Sequence, residues 1–375
     1  MMCSQSASRR GPNHKHRRSV QKTRQANISS PTVPKSSRPV SPLSVVVCTY
    51  ERYGQLPYTI DALLRQDLEC EIIVVDNSRD QTKAAQFKAR YDANAGVRYI
   101  LQPRPGLSRA RNVGTSCATS ARVAFIDDDA VAAPDWAANI VAAFDSFGPL
   151  ARVVGGRVMP QWSNGRPAWL DNSLFGYLSL LDWGERTREL MAHEWLAGCN
   201  IAFDKATLQA LGGFSEFLGR IGDRTLLSNE EIDVLAKFRR IRAKIIYAPR
   251  AMVEHVIDPS RLTPSWFRRR AAWQAVSDYL YDPKAMADYA RTAGERLKLV
   301  KNLPFDNRLN LFDRADDSSN HAPEVKLIYD LVVAALSGEL MSFDTDAAEA
   351  LALHAFETSG SPSAHRRKLS GSSER

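Results

Sequence analysis

Cysteine is scarce in this chain. Its five cysteines, Cys3, Cys48, Cys70, Cys117 and Cys199, include no CxxC spacing, and several stand in apolar surroundings. That excludes a zinc ribbon and a disulfide framework and points to buried thiols in a reducing compartment. No apolar run reaches the roughly 20 residues that cross a bilayer, and no secretory signal pattern opens the chain. Acidic residues are missing altogether from residues 1–40, where nine Lys/Arg stand. The formal net charge of +8 therefore belongs to that segment, and the remainder is close to neutral. Large apolar side chains are also sparse there, so the segment buries too little to offset chain entropy and is expected to be disordered. Its composition allows an organelle transit peptide, but the helical period of one is absent. A solvated basic tail is the plainer expectation, with a loose tether to anionic lipid or nucleic acid behind it. A cytoplasmic protein, at most peripheral on the inner face of a membrane, fits these absences.

What is present begins at Leu43. The run LSVVVC (Leu43–Cys48) predicts a buried strand, and Leu56, Ile60, Leu63, Leu64 and Leu68 recur at helical spacing. EIIVV (Glu71–Val75) predicts a second strand, followed by a helix over about Thr82–Tyr91. VRYIL (Val97–Leu101) predicts a third, and Ser108 is a candidate cap for a helix carrying Ala110, Val113, Cys117 and Ala118. RVAFI (Arg122–Ile126) predicts a fourth strand, after which Pro134 is placed to open another helix. Strands alternating with helices imply a mainly parallel sheet covered on both faces, with ligands beyond the carboxyl ends of its strands. Thr49–Glu51, Asp76–Asn77 and Asp127–Asp129 should therefore gather at one edge. Further on, VVGGRV (Val153–Val158) predicts a strand with a close backbone approach at its glycines. Ser228 or Asn229 should cap a helix, and AKIIYAP (Ala243–Pro249) and VEHV (Val253–Val256) are strand-like. A helix from Ser265 carries Trp266, Trp273 and Leu280 at heptad spacing, either packed on the core or laid on a membrane. Helices are also expected over Glu324–Leu336 and Asp346–Phe356, and no internal repeat is found.

Several residues carry possible chemistry. Asp127 and Asp129 can face one site, where Mg²⁺ or Mn²⁺ would relieve their repulsion and neutralise a diphosphate; a solvated acidic loop is the alternative. Asp76 could accept from a base imide or a ribose hydroxyl, or simply form an Asp-Asn turn. Arg111 could pair with a diphosphate or with an aspartate. Glu230 and Glu231 suit a helix start whatever the function, yet one of them could act as a general base. His255 could be a neutral imidazole ligand or a structural histidine.

The segments VVVCTYERYGQLPYTIDALLRQ, EIIVVDNSRDQT, GLSRARNVGTSCA, VAFIDDDAVAAPDW, LAGCNIAFDKATLQALGGFSEFLG and NEEIDVLAKFRRIRAKIIYAPRAMVEH occur in that order. Together, over about Leu43 to His255, they resemble the family 2 glycosyltransferases, inverting enzymes of the GT-A fold. The resemblance implies a Rossmann-like, mainly parallel α/β sheet flanked by helices, here with a C-terminal helical extension. It implies a nucleotide diphosphate sugar donor, with a UDP-sugar favoured, and a carbohydrate or lipid-linked acceptor of the kind used in polysaccharide or cell-envelope synthesis. Thr49, Tyr50, Glu51 and Asp76 would flank the nucleobase and Arg111 the nucleotide. Asp127 to Asp129 match the Asp-x-Asp motif, with Asp129 on the metal, Asp127 nearer the ribose and Asp128 without an assigned role. Gly198 and Asn200 match a Gly-x-Asn motif near the sugar. Glu231 aligns with the catalytic base and His255 with a late histidine at the metal or diphosphate. Glu51 stands where the family often has Asn, the base is Glu instead of Asp, which leaves Glu230 as the alternative, and Arg242 replaces a common glycine.

The domain reading is a basic tail over 1–41, a catalytic domain over 42–260, a helical extension over 261–356 and a second tail over 357–375. Rival readings are a nucleotidylyltransferase, for which CTYERYGQ lacks the Gly-rich loop, a receiver-like domain, which leaves Glu230 to His255 unexplained, and a non-catalytic binding module. No specific nucleic acid partner is expected.

Overall fold

The computed structural model describes residues 41–92, 96–222, 225–301 and 321–338. The two terminal tails and the helix expected over Asp346–Phe356 lie outside the described residues.

Strand β1 (Ser44–Thr49) is buried at every position. Successive strand side chains point to opposite faces, so both faces of the sheet are covered there, which is why an unbroken apolar run forms this strand. Burying each of these valines contributes roughly 1.5–3 kcal/mol. On one side β1 pairs in parallel with β2 (Glu71–Asp76), which pairs in parallel with β3 (Val97–Leu101). On its other side it pairs in parallel with β4 (Arg122–Asp127). The strand order reverses between β1 and β4, so their carboxyl ends open a crevice at the switch point. The sheet continues through β9 (Asn200–Asp204) and β6 (Ala151–Gly155) to β10 (Lys244–Tyr247) and the short β8 (Arg188–Glu189). Pairing is antiparallel at β4–β9, β6–β9 and β10–β8. A smaller sheet of β5 (Ala130–Ala132), β11 (Val253–Ile257) and β7 (Val158–Trp162) adjoins this edge. It is in β11 that His255 lies, opposite Ala130, just after the three aspartates.

Helices α1 (Leu56–Leu64), α2 (Gln81–Asp92), α3 (Leu107–Cys117) and α4 (Trp136–Phe147) connect the strands of the first half. In the second half come α5 (Lys205–Ala210), α6 (Glu230–Arg240), α7 (Pro264–Tyr281), α8 (Pro283–Lys301) and α9 (Ala322–Leu336). The arrangement is the expected mixed α/β sheet flanked by helices. The apolar core runs unbroken from Leu43 to Phe267, Ala271 and Val325, so packing does not stop at residue 260. Among the described residues no helix is long and apolar enough to cross a membrane.

Local differences from expectation have simple causes. Helix α3 is capped by Gly106 in a positive-φ conformation (+150°), while Ser108 lies inside the helix and its hydroxyl donates to Leu218 O at 2.8 Å. Pro134 precedes the helix start, whose N-cap is Asp135. The single strand expected over Val153–Val158 is two strands, β6 and β7, in different sheets. They separate at Gly155–Gly156, where the chain crosses closely over another segment: a Cβ on Gly156 would lie 1.7 Å from Ala251 O. Asn229 caps α6 by its left-handed backbone (φ +77°), while its side-chain amide donates to Asp278 at 2.7 Å. Arg242 takes φ +59°, so the turn after α6 forms with arginine where glycine is common. In α7 the buried face is Phe267, Ala271 and Ala275, and Leu280 of the heptad stripe is 54% exposed.

The crossing at Gly156 is testable. Gly156→Ala must displace backbone and should cost about 1–3 kcal/mol, seen as a lower urea midpoint at unchanged m. Gly54→Ala, where a Cβ meets nothing within 4 Å, should stay within about 0.5 kcal/mol of wild type.

Candidate functional site

A cleft of about 420 Å³ opens at the carboxyl ends of β1 and β4. Its wall includes Thr49, Tyr50, Glu51, Arg111, Asp127, Asp128, Gly198, Glu230 and Glu231, so topology brings together most of the residues singled out in the sequence.

The three consecutive aspartates have three different surroundings. Asp127 ends β4 and leaves about a third of its side chain open to the cleft. Asp128 is buried; it accepts from Thr49 Oγ1 at 2.7 Å and from Arg52 Nη1 at 3.3 Å. Burial, with Asp129 and Asp127 as close like charges, pushes it up to about 7 against the pull of Arg52. Burial also acts on Asp129, but His255, Arg52 and Arg261 outweigh it and hold Asp129 well below the usual carboxylate range. Arg52 Nη1 bonds Asp129 Oδ2 directly, and Arg261 Nη2 reaches the same oxygen at 3.3 Å. Like-charge repulsion is thus relieved by arginines and by unequal proton affinity.

Arg111, on α3, is 2% exposed. Nη1 donates to Glu230 Oε1 at 2.7 Å and Nη2 faces Asp127 Oδ1 at 3.4 Å. Its guanidinium lies 5.3 Å from the centre of the Phe214 ring. Gly198 passes directly over it, and a Cβ there would come within 2.6 Å of Nη2. Of the two glutamates opening α6, Glu230 is therefore committed to an ion pair. Glu231 faces the cleft with Oε2 buried and unpartnered. Burial first, then the neighbouring Glu230, pushes it up to about 8, against the pull of Arg111.

The surroundings of His255 suit a cation. Nδ1 lies 2.9 Å from Leu178 O, and a carbonyl only accepts, so Nδ1 carries the hydrogen. In the neutral ring Nε2 is then a lone pair facing Asp129 Oδ1 at 3.2 Å, an oxygen that has no hydrogen-bond partner of its own. Two acceptors in that position call for a positive charge, either a second ring proton or a divalent ion. Among the described residues no group of three or more His, Cys, Asp and Glu side chains gathers at metal-ligand spacing. The protein side of such a site is thus Asp129 and His255, which fits an ion that completes its shell with water and phosphate.

Four expected site residues are absent from the cleft wall: Asp129 and His255, both buried, and Asp76 and Asn200, whose side chains are used elsewhere. Asp76 is fully buried; it accepts from Tyr99 at 2.7 Å, from Tyr53 at 3.1 Å and from the Ser78 amide at 3.0 Å, and Asn77 lines the cleft in its place. Asn200 accepts from Trp136 Nε1 at 2.8 Å and donates to Arg157 O at 3.0 Å and Ala251 O at 2.8 Å. It clamps the two sheets together near the glycine crossing. Glu51, at φ +58°, stays at the rim, with its amide on Ser78 Oγ at 2.7 Å. Cys48 and Cys199 border the cleft, but burial pushes the Cys48 thiol up to about 12 and holds Cys199 well above its usual range, so neither is a thiolate.

The cleft residues given no site role from sequence include Arg52, Arg220, Arg261, Trp266 and Arg270. Arg52 follows the first strand end directly, a position that invited attention. Trp266 and Arg270 are four apart on α7 and share a face, a spacing present in SWFRRR but overshadowed by the heptad stripe.

Residues 44–208 match the family model described as glycosyl transferase family 2. The glucosyl-dolichyl phosphate glucuronosyltransferase of Haloferax volcanii is 30% identical over 256 residues, 66% of this chain and 80% of that protein. The succinoglycan biosynthesis protein ExoM of Rhizobium meliloti is 24% identical over 236 residues, 61% of this chain and 71% of that protein. Among solved structures, S. aureus TarS 1-349 in complex with UDP aligns with a TM-score of 0.44 at 18% identity, over 84% of this chain and 89% of the other.

Arg111→Met would leave Asp127 and Glu230 facing each other without their shared cation. It should cost about 3–5 kcal/mol in chemical denaturation, and Arg111→Lys should recover only part of that because one ammonium cannot serve both partners.

Proposed function

The chain belongs to glycosyltransferase family 2, and from that premise we propose that it moves a sugar from a nucleotide diphosphate sugar to an acceptor hydroxyl with inversion at the anomeric carbon. The observation that carries this reading is Glu231, a cleft carboxylate with an unpartnered oxygen and no ion pair; Glu230 Oε2 is unpartnered as well, but its Oε1 is bound to Arg111. Glu230 beside it is held by Arg111, which favours Glu231 as the base. The acceptor hydroxyl gives its proton to Glu231 as its oxygen bonds to the anomeric carbon. The bond from that carbon to the diphosphate breaks on the opposite face, and a nucleoside diphosphate leaves.

The nucleoside is read along Tyr50, Glu51 and Asn77, with Asp127 toward the ribose. Thr49 fixes Asp128, and Gly198 keeps the floor low over Arg111 so that the sugar can lie close. Asp129 and His255 would hold Mg²⁺ or Mn²⁺; when bound, the ion neutralises charge on the leaving diphosphate. Arg52 and Arg261 keep Asp129 ionised for that role. A UDP-sugar donor and a carbohydrate or lipid-linked acceptor are favoured. The relatives' names support the acceptor classes: one is named for glucosyl-dolichyl phosphate and the other for succinoglycan biosynthesis. A peripheral place on the inner face of a membrane agrees with a lipid-linked acceptor.

Glu231→Gln should lower transfer by about 10²–10⁴-fold in kcat while nucleotide affinity is kept; full activity there, with Glu230→Gln inactive, would move the base by one residue. Because the base works unprotonated and its affinity for the proton is raised, kcat/KM should climb with pH and level off above about 8. Glu230→Gln removes the like charge and should bring that limb to lower pH. A panel of UDP-, GDP- and dTDP-sugars, assayed for hydrolysis and thermal stabilisation, tests the donor. Chelation should abolish turnover and Mn²⁺ restore it; turnover indifferent to a chelator would sink the metal.

A further inference from the structure

Arg52, Arg220, Arg261 and Arg270 all line the cleft. Two of them are spoken for, since Arg52 and Arg261 both bond Asp129. The other two are not. Arg270 is 7% exposed and donates from Nη2 to Gln274 Oε1 at 2.9 Å, leaving Nε and Nη1 buried with no hydrogen-bond partner. The Tyr177 ring, 5.9 Å from its guanidinium carbon, offers a π-face but no acceptor along the N–H directions. The Arg220 carbonyl accepts from the Leu107 amide at 2.9 Å, but its side chain makes no hydrogen bond or ion pair among the described residues. Burial, then Arg261, Arg270 and Arg52, lower it to about 10, so it still carries its charge at neutral pH. Buried guanidinium N–H groups without an acceptor, as on Arg270, are costly, and an arriving oxyanion removes that cost with charge-assisted bonds.

On the proposed reading an ion at Asp129 and His255 would meet the charge of the diphosphate, and Arg52 and Arg261 are occupied with Asp129. Arg270 and Arg220 share the cleft wall with Glu231 and Asp127, and the buried Nε and Nη1 of Arg270 are donors there that no protein acceptor uses. Trp266, one turn before Arg270 on the same face of α7, adds a flat apolar wall there.

We propose that Arg220 and Arg270 form an oxyanion subsite beside Glu231, which recognises a carboxylate or phosphate carried by the transferred sugar or by the acceptor, in addition to the donor's diphosphate. The proposal rests on the glycosyl-transfer reading of the same cleft. It makes the enzyme selective for an anionic reaction partner, with α7 supplying part of the selectivity.

The test uses the full chain with Mn²⁺ and has two arms. In the first, UDP-glucose is compared with UDP-glucuronate for hydrolysis and binding. In the second, a short-chain polyprenyl-phosphate-linked sugar is compared with the same sugar on an uncharged alkyl chain as acceptor. The anionic member should be preferred by at least about tenfold in one arm, and that arm names the source of the anion. Arg270→Gln and Arg220→Gln should each erase most of the preference while UDP binds as it does to wild type. Arg220→Lys, which keeps the charge at a half-buried position, should retain part of it and guards against misfolding at Arg270. Equal use of neutral and anionic partners in both arms overturns the proposal. So does an equal loss of UDP affinity and neutral-donor turnover in the Gln variants, which would assign both arginines to the diphosphate. If UDP, GDP and dTDP all fail to bind, the glycosyl-transfer reading falls with it; nucleotide binding without anion preference overturns this proposal alone.

Discussion

The cleft depends on one buried guanidinium. Arg111 joins Asp127, at the end of β4, to Glu230, the first residue of α6. Strand and helix belong to different halves of the fold. A guanidinium can do this because its planar fork offers donors in two directions, and it stays charged even when burial opposes it. The environment is built around it: Gly198 leaves room above and Phe214 offers the face of its ring. With Glu230 fixed, the next residue must face the cleft, and its carboxylate is left with no fixed cation of its own. The raised proton affinity of Glu231 comes first from its burial and then from the charge of Glu230 beside it.

The aspartates follow the same logic of unequal partners. Asp129 draws Arg52, Arg261 and His255, Asp128 draws a hydroxyl and a share of Arg52, and Asp127 shares Arg111. Identical side chains in sequence become three different groups because backbone geometry turns each toward a different element. The cleft contains more fixed cations than its acids use, and that excess lies on the loop before α6 and on α7.

Much of the fold was legible in the sequence, for a physical reason. A parallel strand covered on both faces must be apolar throughout, so β1, β2 and β4 stand out, and the first polar residue after each one falls at the sheet edge where ligands bind. Thr49, Asp127 and Asp128 stand out that way, whereas Glu231, at a helix start, stands out through the family resemblance. Side-chain direction is not written in such a pattern. Asp76 and Asn200 have the right residue type at the right edge, yet both satisfy buried donors and acceptors behind the cleft. Arg52 and Arg261 were passed over because their partner lies 77 and 132 residues away, and local spacing carries no sign of it. Gly155 and Gly156 announced a close approach, but not that the chain changes sheets there.

Those separations have a consequence for how the protein forms. Arg111 and Glu230 are 119 residues apart, and Arg261 and Asp129 are 132. Each pair closes a very long loop, whose entropy is recovered only when the surrounding sheet has already ordered. A fragment carrying the first four strands would hold the aspartates with Arg52 and Arg111, but without Arg261, His255 and the two glutamates of α6. The capacity to bind a donor therefore arrives late, together with the last helices, and serves as a report that the whole body has folded.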